Sequence, residues 1–230
     1  MRYGFFLLLL VIALAATACG TTGAVTTAQL AAILSSYLDP TGDAAAQTTS
    51  GTAYDVTKVV SRRLDNSPFG SYDTLRTEIT FDGATPPVLP AAGTFPSLGT
   101  ELAFRVYFDT DQSLATGTWQ NGMCGNTSGG TEYIVDGTTA ADAPPSGTTG
   151  RQANGNYQVV DSTGAAVGEA TVSVSGNVLT VDTALSVIGG DDGQTNMSVR
   201  VGNGADPTTD CGPHTAGAII TREGAARDRR

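Results

Sequence analysis

Three oxygen-bearing side chains stand at alternate positions in Asp109-Thr110-Asp111-Gln112-Ser113, directly after the apolar run Leu102 to Phe108. Donors at the first, third and fifth positions of a loop suit calcium, which takes six to eight oxygens at ~2.3–2.6 Å. The loop is not an EF-hand. Leu114 stands where that loop requires Gly, Gln120 replaces the bidentate Glu, and the run before it reads as a strand. A polar turn holding no ion accounts for the same residues, and on spacing alone both readings stay open. Further acidic stretches punctuate the chain: Asp39-Pro40-Thr41-Gly42-Asp43, Tyr54-Asp55-Val56, Gly189-Gly190-Asp191-Asp192-Gly193, and Asp206-Pro207-Thr208-Thr209-Asp210-Cys211.

Catalytic constellations do not stand out. His214 is the sole histidine and lies in a Pro/Gly loop, a setting for a loop hydrogen bond more than for acid–base work. No Gly-x-Ser-x-Gly elbow is present, and no glycine-rich stretch leads into the Lys-Ser/Thr of a phosphate-binding loop. Two suitably spaced carboxylates would be enough for glycoside hydrolysis, and the chain has 22 acidic residues to draw from. Asp55, Glu78 and Glu132 carry no mark that separates them from solvated acids. The expectation is a protein that is not an enzyme.

The N-terminus carries the clearest signal. Arg2 precedes an apolar run from Phe5 to Ala16, and small residues lead into Cys19. That order of charged, apolar and small segments is a secretory signal, and a dozen residues are too few to span ~30 Å of hydrocarbon as a permanent helix. A Cys at the first mature position resembles the signal of bacterial lipoproteins. Ala16 departs from that family's preference for Leu three residues before the Cys. The resemblance implies cleavage after Ala18, a lipid on Cys19, and residence in the cell envelope, outside the cytoplasm, anchored to a bacterial membrane. An ordinary secretory signal followed by chance by Cys is the alternative. With Cys19 taken by lipid, Cys124 and Cys211 remain as an even pair in an oxidising compartment, so a disulfide between them is expected. Two Cys and one His do not supply the four ligands of a structural zinc site.

The charge balance is 22 acidic to 12 basic residues, and losing Arg2 with the signal leaves 11 basic residues and a net charge of −11. Such a surface argues against nucleic acid as a partner and against a basic membrane-binding patch. It is compatible with hard cations wherever carboxylates cluster.

The elements that must position these residues read mostly as strands. Leu30, Ile33, Leu34, Tyr37 and Leu38 fall at helical spacing behind Thr26-Thr27-Ala28-Gln29 and before Pro40, which predicts a short amphipathic helix. From Tyr54 onward the period becomes two. Strand signals run through Val56 to Val60, Leu75 to Phe81, Leu102 to Phe108, Glu132 to Val135, Tyr157 to Val160, Ala170 to Val174, Val178 to Val181 and Met197 to Val201. Gly-, Pro- and Asp-rich turns separate them. The pattern predicts an all-β, antiparallel, jelly-roll-like β-sandwich. The organisation expected is a signal over 1–18, a tether and short helix over 19–36, a sandwich over 37–221 and a disordered tail over 222–230.

In order, DPTGD, YDV, FDTDQSLATG, GTEYIVDG, GGDDG and PTTDCGP resemble exported bacterial sandwich modules of the DOMON-like and family-nine carbohydrate-binding group. The resemblance spans roughly residues 37 to 221. It implies a sandwich with ligand-binding loops, calcium-stabilised and sugar-binding in some relatives. Asp109 and Asp111 match the acidic loop after the central strand, and Asp43 and Asp55 match the opening acidic motif, so these four become the expected calcium ligands. The sugar site departs from the pattern. Such modules stack sugars on exposed aromatics, and Trp119 is the only tryptophan here. It is the candidate platform, with burial against the end of the sandwich as the more frequent fate of a large aromatic. The expected protein is therefore a calcium-stabilised, lipid-anchored, non-catalytic module binding glycan or protein. The alternatives are a structural envelope protein and, last, a hydrolase with dispersed carboxylates.

Overall fold

The computed structural model describes residues 32–38, 54–64, 73–83, 86–97, 99–111, 113, 116–117, 130–138, 150–189, 195–204 and 210–212. Ten strands run through them: β1 (Ala32–Leu38), β2 (Val56–Leu64), β3 (Thr74–Phe81), β4 (Leu102–Asp109), β5 (Tyr133–Gly137), β6 (Tyr157–Asp161), β7 (Ala166–Ser175), β8 (Val178–Ala184), β9 (Asn196–Asn203) and β10 (Asp210–Gly212). They form one sheet in the order β1-β2-β3-β8-β7-β6-β5-β4-β9-β10, antiparallel at every step. The predicted all-β, antiparallel character holds. The sheet curls until β10 comes beside β2, so that it is nearly closed into a barrel.

Period-two sequence produces this directly. In β3, Leu75, Thr77, Ile79 and Phe81 are buried while Thr74, Arg76, Glu78 and Thr80 are partly exposed. Leu179, Val181 and Thr183 of β8 repeat the pattern beside them. Alternation puts one face of each strand in the core, where burial removes apolar surface from water. That core includes Phe104, Val106 and Phe108 of β4, Val199 and Val201 of β9, and Tyr157 and Val159 of β6. Tyr54 meets Phe81 edge-on at 5.6 Å, and Phe104 lies tilted on Tyr157 at 5.0 Å between ring centroids. The far face of β4 is covered as well, since Ala103 and Tyr107 are also buried. On that face Arg105 pairs with Asp136, its cross-strand neighbour on β5, and Asp136 also accepts the Thr138 N–H at 2.9 Å.

The segment expected to be helical differs. Residues 32–38 are strand β1, antiparallel to β2 from Ala32 opposite Arg63 to Leu38 opposite Lys58. Leu30 and the residues before it lie outside the described residues. A strand at this place pairs the N–H and C=O groups along the open side of β2, a gain that local helical spacing cannot register. The register shift between Ile33 and Ser35 accommodates the join.

Because all pairings are antiparallel, the strand ends sort into two rims. Six steps along the sheet separate β2 from β4, so the two run in the same direction. Leu64, Thr74, Ala184, Ala166, Asp161, Tyr133, Asp109 and Asn196 share one rim. Val56, Phe81, Val178, Tyr157, Gly137, Leu102, Asn203 and Asp210 share the other.

Candidate metal centre

Asp109 closes β4, and its strand places it opposite Asn196 of β9. The Asn196 side-chain amide donates to Asp109 Oδ2 at 2.9 Å. Two residues on, Asp111 folds the chain back on itself. Its Oδ1 accepts the Ser113 N–H at 2.9 Å, and the Thr116 hydroxyl donates to the same carboxylate, at 2.8 Å from Oδ2. A short acidic side chain that binds the backbone two residues ahead is the usual way such a loop turns.

Glu132 arrives from the other side. Phe108 stands opposite Tyr133, the first residue of β5, so the residue before β5 must lie against the exit of β4. The Glu132 N–H donates to the Phe108 carbonyl at 3.0 Å, and Glu132 Oε2 accepts the Thr110 N–H at 2.8 Å. Carboxylate oxygens of Asp109, Asp111 and Glu132 therefore lie within 4.8 Å of one another. Burial pushes the Glu132 carboxyl above its ordinary value; the Thr110 N–H opposes this, and the Asp111 and Asp109 charges push it further up.

Two glycines let the strands and loop approach this closely. Gly117 has φ +71°, and a Cβ there would sit 2.2 Å from the Thr131 carbonyl oxygen and 2.7 Å from Glu132 Oε1. A Cβ on Gly130 would fall 2.7 Å from the Ser113 carbonyl oxygen and 3.4 Å from Asp109 Oδ2. The backbone carbonyls of Ser113 and Thr131 thus border the same spot as the carboxylates. Glu132 Oε1 is buried and has no hydrogen-bond partner among the described residues. Three carboxylates with neighbouring carbonyls make a hard, all-oxygen donor set, the chemistry that calcium or magnesium takes. With no soft sulfur or imidazole ligand in the set, zinc and copper are not favoured.

Of the residues expected to bind an ion, the structure brings Asp109 and Asp111 together and leaves Asp55 apart. Asp55 precedes β2 on the opposite rim, where the following Val56 meets Asp210. From Asn196, beside Asp109, β9 runs five residues to Val201, the partner of Asp210. At ~3.3 Å per residue that is roughly 17 Å, far beyond any shared coordination sphere. Asp43, Trp119, Cys124 and Cys19 lie outside the described residues. Cys211 sits on β10 with 4% of its surface exposed. Glu132 was not singled out by its sequence context. The available signal was the strand that follows it, because pairing Tyr133 with Phe108 carries Glu132 to Asp109.

Comparison with known protein families, with curated proteins and with solved structures finds no match to this chain.

Proposed function

We propose that this chain is a lipid-anchored, extracytoplasmic binding module with no catalytic role, whose Asp109–Asp111–Glu132 rim holds calcium. The observation that carries the metal is the convergence of three carboxylates from two sequence-distant segments, with Glu132 Oε1 buried and unsatisfied. Like charges this close are costly unless protonated or neutralised, and a bound divalent cation does the latter. Calcium suits the set better than magnesium because carboxylates mixed with loop carbonyls match its large, irregular coordination shell. When bound, the ion would be held by Asp109, Asp111 and Glu132 and would tie the exit of β4 to the entry of β5.

One connection, residues 110–132, contains Asp111, Trp119, Cys124 and Glu132. In this reading calcium orders the connection, the Cys124–Cys211 disulfide fastens it to β10, and Trp119 with its neighbours presents the surface for a glycan or protein. The resemblance to DOMON-like and family-nine carbohydrate-binding modules rests on the motifs alone. The two halves of the nearly closed sheet then act as the layers of a sandwich. Ser61 of β2 and Thr77 of β3 reach the Met197 sulfur of β9 across that interior, at 3.4 and 3.2 Å.

Melting curves of the mature protein in calcium, in magnesium and in chelator test the metal. An ion at a hundred times its Kd stabilises the fold by ~2.7 kcal/mol, which appears as an upward shift of the midpoint. Asp111→Ala should abolish that shift and Asp55→Ala should retain it. An unchanged midpoint in the unsubstituted protein would remove calcium from the account, and a glycan array that stays blank would remove the sugar.

A further inference from the structure

We propose that Asn154-Gly155 is a latent deamidation site, which the Glu169 carboxylate holds closed from the neighbouring strand.

The turn enclosed by the isolated bridge between Arg151 and Tyr157 asks for these two residue types. Its backbone closes twice. The Gly155 N–H donates to the Gln152 carbonyl at 2.8 Å, and the Gln152 N–H donates to the Asn156 carbonyl at 2.8 Å. Gly155 has φ +87°, a left-handed conformation that glycine adopts without strain. A Cβ there would come no nearer than 3.6 Å to the Arg151 guanidinium, so conformation and not crowding requires the glycine. Asn154 folds into an Asx turn, its Oδ1 accepting the Asn156 N–H at 3.0 Å.

The same pair is chemically vulnerable. The Gly155 nitrogen loses its proton and attacks Asn154 Cγ, forming a five-membered succinimide as the Cγ–Nδ2 bond breaks and ammonia leaves. Water then opens the ring at either carbonyl, giving aspartate or isoaspartate at position 154. With no side chain on the following residue, nothing shields the attacking nitrogen, and Asn154 itself is exposed to solvent.

Hydrogen bonds at every reacting atom oppose ring closure. The attacking nitrogen is committed to Gln152, and Oδ1 is held by Asn156. The leaving nitrogen, Asn154 Nδ2, donates to Glu169 Oε2 at 2.7 Å. Asn156 Nδ2 donates to the same oxygen at 2.9 Å, which fixes the Glu169 side chain under the turn. Register brings it there, because Glu169 of β7 stands opposite Gln158 of β6, two residues beyond Asn156. The two amides, that of Asn156 first, hold the Glu169 carboxyl below its ordinary range. Glu169 is therefore ionised at neutral pH and its bonds are charge-assisted. With both ends of the Asn154 amide gripped, Cγ does not swing onto the Gly155 nitrogen until Glu169 lets go. Once converted, residue 154 has no N–H to offer and sets a second carboxylate against Glu169, so the turn does not reclose.

Peptide mapping by mass spectrometry tests the latch, on protein incubated at mildly alkaline pH and sampled over days. In the folded protein, aspartate and isoaspartate at position 154 should accumulate many-fold more slowly than in the same chain held unfolded in urea. Glu169→Ala should convert several-fold faster than the unsubstituted protein, and Glu169→Gln, whose side-chain carbonyl still accepts, should fall between them. Asn203-Gly204 serves as the internal reference, since Asn203 is fully buried at the end of β9. Its conversion should be the same in all three folded proteins. Conversion at Asn154 as fast in the folded as in the unfolded chain would overturn the protection. An unchanged rate in Glu169→Ala would remove Glu169 as the latch. A parallel rise at Asn203 in that variant would trace the effect to loss of the fold and overturn a local latch as well.

Discussion

The backbone N–H of Val56 donates to the side chain of Asp210 at 2.5 Å, joining residues 154 positions apart where β2 meets β10. Asp210 is buried, and its other oxygen accepts the Cys211 N–H at 2.7 Å. A carboxylate here takes the place of a ladder carbonyl that the three-residue β10 cannot supply. Asp210→Ala leaves a buried backbone donor unpaired, which costs ~1–3 kcal/mol. Urea titration should show that loss, and hydrogen exchange should show the Val56 amide opening faster than that of Val59 in the same variant.

Arg105 and Asp136 form a pair that is almost dry, with their side chains 14% and 1% exposed and 3.1 Å apart. Burial works against the Arg105 charge, and the Asp136 carboxylate together with Tyr107 more than offsets it, so the guanidinium pKa is raised. Removing one partner strands a buried charge. Asp136→Ala is expected to destabilise the fold by about 3–5 kcal/mol, and Arg105→Met combined with Asp136→Leu should recover the part due to the stranded charge while the buried Thr138 N–H stays unpaired. Denaturant unfolding of the single and double variants measures the difference.

Gly117 and Gly176 separate backbone strain from crowding. Both have positive φ, +71° and +58°, but a Cβ on Gly176 meets nothing within 4 Å whereas one on Gly117 collides with the Thr131 carbonyl. Gly176→Ala should cost only the left-handed conformation, about 1–2 kcal/mol. Gly117→Ala should cost more in a urea titration. It should also remove the calcium-dependent rise in melting midpoint, because it drives the Asp111 loop away from Glu132.

The raised pKa of Glu132 gives the metal response a pH signature. Without metal, the unfolded chain ionises at the ordinary glutamate value while the folded one holds its proton to higher pH. The contribution of Glu132 to stability is therefore fully present below the ordinary value and is lost as pH rises through the raised one. Calcium needs the ionised carboxylate, so its stabilising shift should grow across the same window. Melting midpoints with and without calcium from pH 4 to 7.5 check this, and Glu132→Gln should flatten the metal-free slope across that window.

How far the site could be read in advance differs residue by residue. Asp109 and Asp111 were legible because two residues of spacing place them in one loop whatever the rest of the chain does. Glu132 was not, since it reaches them only through the pairing of Phe108 with Tyr133, and strand pairing leaves no local mark. Asp55 looked equally acidic and belongs to the opposite rim. Ile33, Leu34, Tyr37 and Leu38 sit at helical spacing, yet residues 32–38 are strand, because the open side of β2 offered a ladder of hydrogen bonds.

By itself the sequence determined what depends on near neighbours. Period-two alternation in stretches such as Leu75 to Phe81 makes strands with one apolar face, and Gly-, Pro- and Asp-rich turns between them make the sheet antiparallel. Only the tertiary structure decided what depends on order around the sheet. The insertion of β8 through β4 between β3 and β9, the clasp of Val56 on Asp210, and the assignment of each acid to a rim are of this kind. The physical reason is that side-chain burial acts through a repeat of two residues, whereas strand order is settled by which edges can pair once the apolar faces have closed on one another.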